Sequence, residues 1–205
     1  ASDVYKRQGL ALLVPDDVDA LCCGTPWASK GMAEGHAVMG ERVRASLLRA
    51  TDGGRLPVVV DASSCAHGVA DLAETAGIEV LDAVTYIARE ALGELEVSEK
   101  LPSVTLHPTC SSAHMGTVGD LRAVAEAAAD QVQIPVNWAC CGYAGDRGML
   151  HPELTESATR AEAKTVAELD SRYHASSNRT CELGMTQATG EPYAHVLELL
   201  ERATR

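Results

Sequence analysis

A chain of 205 residues, 46% of them apolar, has the material for one large domain or two small ones. Its longest apolar runs, Gly9–Val14 and Pro57–Val60, fall far short of the ~20 residues of a transmembrane helix, and no basic segment precedes an apolar stretch in the manner of a signal peptide. A formal charge of −12 disfavours contact with a phosphate backbone, so no nucleic-acid partner is expected, and the location implied is cytoplasmic or peripheral at the inner face of the membrane.

Taken in order, Asp3–Gln8 reads as the translation of a sequencing-library adapter. Residues 1–8 are therefore expected to be an artefact, with native sequence starting near Gly9 and the parent polypeptide extending upstream. Val18–Leu21 is a predicted strand leading into Cys22. Met32–Arg49 carries apolar residues at helical spacing (Val38, Val43, Leu47) and ends at Asp52-Gly53-Gly54. Pro57–Val60 reads as a strand buried on both faces, Val69–Ala76 as a helix, Ile78–Leu81 as a strand and Val84–Leu92 as a helix. The second half repeats the rhythm: strand Val104–Leu106, helix Val118–Val132, strand Ile134–Trp138, helix Glu153–Leu169 and a closing helix Tyr193–Arg202. This alternation predicts an α/β fold of two pseudo-repeated layers of short parallel strands and helices, with cysteine-bearing loops at the carboxyl ends of the strands.

An internal repeat organises the chain. Cys22-Cys23-Gly24 aligns with Cys140-Cys141-Gly142 at an offset of 118 residues, and Cys65-Ala66-His67-Gly68 aligns with Cys181-Glu182-Leu183-Gly184 at an offset of 116. The division expected is a first half-domain over residues 9–92, an acidic linker over 93–102 and a second half-domain over 103–205. Cys110 in the second half has no partner in the first. At the same offset its counterpart falls ahead of residue 1, which accounts for the odd total of seven cysteines and suggests that an eighth lies upstream.

Adjacent cysteines bridge each other only with strain, and a seven-cysteine chain of this length does not resemble a secreted disulfide scaffold. Clustered thiols therefore read as metal ligands or redox groups. Cys110, Cys140, Cys141 and Cys181 form a complete set of four, which suits a [4Fe-4S] cluster or a tetrahedral zinc ion; Cys22, Cys23 and Cys65 form an incomplete set. Gly24 and Gly142 keep the backbone close and leave N–H groups free for sulfur. His107 and His114 flank Cys110 as supporting or spare ligands, with His107 the stronger candidate. Lys30 and Arg147 are placed to offset thiolate charge, and Asp146 to start a helix. Trp27 and Trp138 read as core, whereas Glu126, Glu162 and Glu168 read as water-facing. No residue is singled out as catalytic.

The doubled Cys…Cys-Cys-Gly…Cys pattern resembles the cysteine-rich CCG domain of heterodisulfide reductases and of the iron–sulfur subunits of glycolate oxidase and anaerobic glycerol-3-phosphate dehydrogenase. The stretches Cys22–Met32, Asp61–Gly68, His107–Cys110, Cys140–Met149 and Ser176–Gly190 resemble most closely the C-terminal regions of FAD-linked oxidases of the D-lactate dehydrogenase type. That resemblance implies an iron–sulfur electron-transfer module whose partners are a flavin domain of the same parent chain and an acceptor: a quinone, a cytochrome or a redox protein. The FAD would sit in the missing upstream domain, since no Gly-x-Gly-x-x-Gly follows a strand here, and this chain alone is not expected to turn over the hydroxyacid. Gly68 and Gly184 replace the last cysteine of the five-cysteine form of the motif, which favours a cubane cluster or zinc over a noncubane cluster. The alternatives are a zinc-stabilised interaction domain and a thiol–disulfide redox module.

Overall fold

In the computed structural model, residues 11–205 are described; the adapter-like segment 1–8 and Gly9 lie outside the described residues. Two parallel sheets form the framework. The first pairs β1 (Val58–Val60) with β2 (Val80–Asp82). The second has four strands in the order β4-β3-β5-β6, comprising β3 (Leu101–Leu106), β4 (Ala129–Gln133), β5 (Tyr173–Ser176) and β6 (Tyr193–His195). The fold is thus α/β with short parallel strands in two sheets, as the alternation of elements implies.

The long helices α1 (Ala33–Ala50) and α2 (Pro152–Leu169) form where the 3.6-residue periodicity runs longest, and Pro152 opens the second at a position where no N–H is needed. Three predicted strands differ. Val18–Leu21 holds a 3₁₀ turn over Val18–Ala20, because it has no strand neighbour and Asp17 beside it is tied to Ser46 and Arg49 on α1. The strand expected at Ile134–Trp138 lies earlier, at β4, so the helix α3 stops at Ala128 (Val118–Ala128). An edge strand can expose Asp130, Gln131 and Gln133, whereas Pro135 lacks the N–H a ladder needs. Val58–Val60 is only half-buried, since a two-strand sheet covers it incompletely.

Helix boundaries shift for local reasons too. The helix expected at Val69–Ala76 begins at Ser63, so α4 (Ser63–Ala73) takes Cys65 into its first turn. Residues 84–92 form a short α-helix (Ala83–Tyr86), a π-helical stretch (Ile87–Ala91) and a 3₁₀ turn (Leu92–Glu94). The start of the last predicted helix is β6, and His195 caps α5 (Val196–Ala203) by accepting from Leu197 N–H. Segment 93–102 is bound into the fold: Leu95 and Val97 pack on the main core, and the N–H groups of Ser98 and Glu99 donate to the carbonyl of Ala203.

That core joins Val84 and Ile87 to Val104, Leu106, Leu121, Leu197 and Leu200. A smaller cluster gathers Cys141, Tyr143, Cys181 and Met185, and a third, Val43, Leu47, Leu72 and Ile78, lies under the first sheet.

Candidate metal centre

Parallel strands deliver their carboxyl ends to one side of a sheet, and here β1, β3, β4 and β5 are each followed by a cysteine-bearing segment. Cys110 follows β3 and opens a short helix (Cys110–His114) capped by a reciprocal pair, Thr109 and Ser112. Cys140 and Cys141 lie beyond β4, and Cys181 sits in the first turn of α6 (Arg179–Thr189) after β5. In the first half Cys65 occupies the matching first turn of α4 after β1. Cys22 and Cys23 follow the 3₁₀ turn instead of a strand.

The second set converges. Cys141 Sγ lies 3.1 Å from Cys181 Sγ, both buried, and the N–H of Gly142 donates to Cys140 Sγ at 3.5 Å. Gly142 has a φ of +69°, and a β-carbon there would stand 2.9 Å from the carbonyl oxygen of Leu154, so this turn requires glycine. Cys110 and Cys140 are exposed at the mouth of the site. Cys110 and Cys141 each lend a proton to Cys140; this drives the Cys140 thiol well below its usual range and raises the other two. Cys181 is lowered to about 6, first by its contact with Cys141 and then by His107, against the effect of burial. Ligation of a cation by all four would require the protons still held by Cys110 and Cys141 to leave.

His107 closes the floor of the site. Its N–H donates to the carbonyl of Ala175 and its carbonyl accepts from Ser176 Oγ, which fixes it between β3 and β5. Its Nδ1 lies 2.7 Å from Glu162 Oε1, and both side chains are at most 2% exposed. Burial opposes a charge on the ring, but Cys181 and Glu162 more than offset it and raise His107 to about 9. A ring nitrogen of His107 and the sulfurs of Cys141 and Cys181 lie within 4.8 Å of one another, and His107 Nε2 has no hydrogen-bond partner. An orphaned buried nitrogen beside two thiols is the donor set of a soft or borderline metal.

Glu162 corrects the sequence reading: it faces the site, not water. Thr155, Thr159, Glu162 and Val166 share one buried face of α2 at spacings of four, three and four, a stripe that could have revealed it. Glu126 and Glu168 are exposed, as read. Trp27 and Trp138 are half-buried and belong to none of the core clusters, because each lies on a short surface segment; Trp27 packs its ring over Gly35. Lys30 reaches Asp146 at 2.6 Å, joining the two repeats. Asp146 stands at the start of a four-residue helix without capping it, and Arg147 is exposed. His114 stacks on His67 at 5.4 Å.

In the first half Cys23 is lowered to about 5, chiefly by its contact with Cys65, whose thiol is raised in turn. Gly24 repeats the left-handed turn of Gly142 at φ +82°. A β-carbon on Gly68 would meet the carbonyl oxygen of Cys23 at 2.4 Å, so a cysteine cannot stand there without displacing backbone. Gly184 leaves more room, its nearest neighbours being Tyr143 at 3.2 Å and Thr155 at 3.4 Å.

Residues 104–186 match the family model of the cysteine-rich CCG domain. The matched stretch holds all four convergent cysteines together with His107 and Glu162. No curated protein matches the chain. No helix among the described residues is long and apolar enough to cross a membrane.

Proposed function

We propose that the CCG region is an iron–sulfur electron-transfer module of a flavin-linked D-2-hydroxyacid dehydrogenase, with Cys110, Cys140, Cys141 and Cys181 as ligands. The convergence of these four thiols at the carboxyl ends of three neighbouring strands carries the reading. A bound four-iron cluster supplies one-electron transfer at a potential set by its surroundings. The chain's own part is to hold and tune. Gly142 N–H donates to a ligand sulfur, the Cys141–Cys181 pair is walled from water by Tyr143 and Met185, and His107 braces the buried side. The flavin domain belongs to the rest of the parent polypeptide and the acceptor is a quinone, a cytochrome or a redox protein, with a basic docking face suited to the charge of −12.

A zinc site is the second reading. A metal-facing histidine backed by a buried carboxylate, as His107 is by Glu162, is the usual support of zinc. Metal and sulfide analysis of anaerobically prepared protein separates the two. About four iron and about four acid-labile sulfide per chain, lost in Cys181→Ala, support the cluster. About one zinc without sulfide overturns it in favour of the structural site. Absence of metal together with alkylation-sensitive disulfide exchange at Cys141 and Cys181 overturns both.

A further inference from the structure

Away from the four convergent cysteines, one pair of metal-binding side chains meets across the two halves. Ser63 Oγ and Thr109 Oγ1 stand 2.9 Å apart in the interior and hold the starts of α4 and of the short helix Cys110–His114 side by side. About a turn further on, both helices reach the surface. There His67 of α4 stacks on His114, with ring centres 5.4 Å apart and planes 26° from parallel. His67 Nδ1 lies 3.3 Å from Asp71 Oδ1, one turn along the same face of α4. His114 makes no hydrogen bond among the described residues. All three side chains are exposed. The thiols stand apart from this pair. His67 lies about 200° around α4 from Cys65 and so looks away from it. Among the described residues neither Cys65 nor Cys110 joins the two rings in a set of three close donor atoms.

We propose that His67 and His114 form a two-histidine site for an exchangeable divalent zinc ion, which clasps the first half to the second. A zinc–nitrogen bond of about 2.1 Å, with about 1.1 Å more from nitrogen to ring centre, puts each ring centre about 3.2 Å from the ion. Rings with centres 5.4 Å apart then subtend about 115° at it, close to the tetrahedral angle. Asp71 is placed to fix the tautomer. By accepting the Nδ1 proton of His67 it leaves Nε2 as the free ligand, the support that carboxylates commonly give metal-binding histidines. His114, exposed and without a hydrogen bond, turns about its Cβ–Cγ bond at little cost to bring a nitrogen to the same ion. Neutral imidazole suits zinc, whereas calcium and magnesium take oxygen ligands. Water completes the shell, which makes this ion exchangeable where a closed thiolate set is not. The site shares no residue with Cys110, Cys140, Cys141 and Cys181, and it does not rest on what those cysteines hold.

The test is an anaerobic zinc titration of the full chain beside His67→Ala, His114→Ala and Asp71→Asn, followed by calorimetry and by magnetic resonance of the imidazole nitrogens. The three side chains are exposed and belong to no core cluster, so the variants are expected to fold as the parent does. At saturation the parent is expected to hold about one zinc per chain more than either alanine variant. That zinc should shift the ring nitrogens of His67 and His114 together. Asp71→Asn should retain it but bind it on the order of 10-fold more weakly. Excess zinc should also raise the urea midpoint of the parent above that of either alanine variant, because the ion ties α4 to the second half. Equal uptake by the parent and both alanine variants overturns the proposal. So does a shift at one ring alone, which would mark adventitious binding to a surface histidine. Whatever the cysteines take up is common to parent and variants, so the difference between them stands or falls apart from the iron and sulfide analysis.

Discussion

Glu162 spends both carboxylate oxygens inside the protein, Oε1 on His107 and Oε2 on the N–H of Ala139, one residue before the cysteine pair. The carboxylate therefore holds the ring and the cysteine loop in one geometry. Removing one member of a buried charged pair strands the other, which costs roughly 3–5 kcal/mol. Glu162→Ala is accordingly expected to lower the urea midpoint strongly. Glu162→Gln, which keeps an acceptor for His107, should lose much less. Both should lose metal affinity on the order of 10–100-fold in chelator competition, because the ring and loop are no longer held as tightly. Unchanged affinity in the stably folded Gln variant would mean that the pair serves packing alone.

At the scale of elements, the caps that follow β2 and β6 use different chemistry for one geometry. Asp82 accepts from the N–H groups of Val84 and Thr85 at 2.9 and 3.3 Å, and burial nevertheless raises its carboxyl, with Asp120 and Asp61 adding to the rise. A folded-state value above the unfolded one means the folded form favours the proton, so this contribution is full at acid pH and is lost as pH rises through the folded value. Asp82→Asn keeps the accepting oxygen without the charge. Its melting temperature relative to the parent is therefore expected to rise between about pH 3 and about pH 7, whereas Asp82→Ala should lose about 1 kcal/mol of capping throughout. A flat difference for Asn would show that the charge is solvated after all. Elements of this size also explain what the sequence made legible. The 18-residue helices α1 and α2 average their periodicity over many side chains, so their ends are found within a residue or two. Strands of three to five residues do not: β6, Tyr-Ala-His, looks like the start of α5, and β4 with its exposed Gln and Asp residues hides behind an alanine-rich helix. Cysteine spacing was legible because thiol chemistry survives any context. Glu162 was not, because its partner is 55 residues away and only the packing of α2 on the second sheet brings them together.

For the molecule as a whole, the repeat divides the sequence at residues 93–102, but the packing does not follow that division. Val84 and Ile87 from the first half lie in the same core as Val104, Leu106, Leu121 and Leu197, and burying a Val, Ile or Leu side chain stabilises by about 1.5–3 kcal/mol. Polar ties cross as well: Ser63 Oγ meets Thr109 Oγ1 at 2.9 Å in the interior, Ser64 Oγ donates to Asn178 Oδ1, and the N–H of Ser63 donates to the carbonyl of Ser177. The Lys30–Asp146 bridge adds little, since its partners are 44% and 51% exposed and a pair of that kind contributes under about 1 kcal/mol. Cooperativity must then come from the shared core, and each half carries one tryptophan, Trp27 and Trp138, able to report on it. Trp27→Phe and Trp138→Phe leave one reporter apiece, and neither removes a side chain from a core cluster. Their fluorescence transitions in urea are expected to coincide with each other and with loss of helical circular dichroism, whereas Lys30→Ala should shift the midpoint only slightly. Separate transitions, with the Trp27 signal lost first, would mean that α1, β1 and α4 unfold as a unit of their own and that the core shared through Val84 and Ile87 is too small to bind the halves into one.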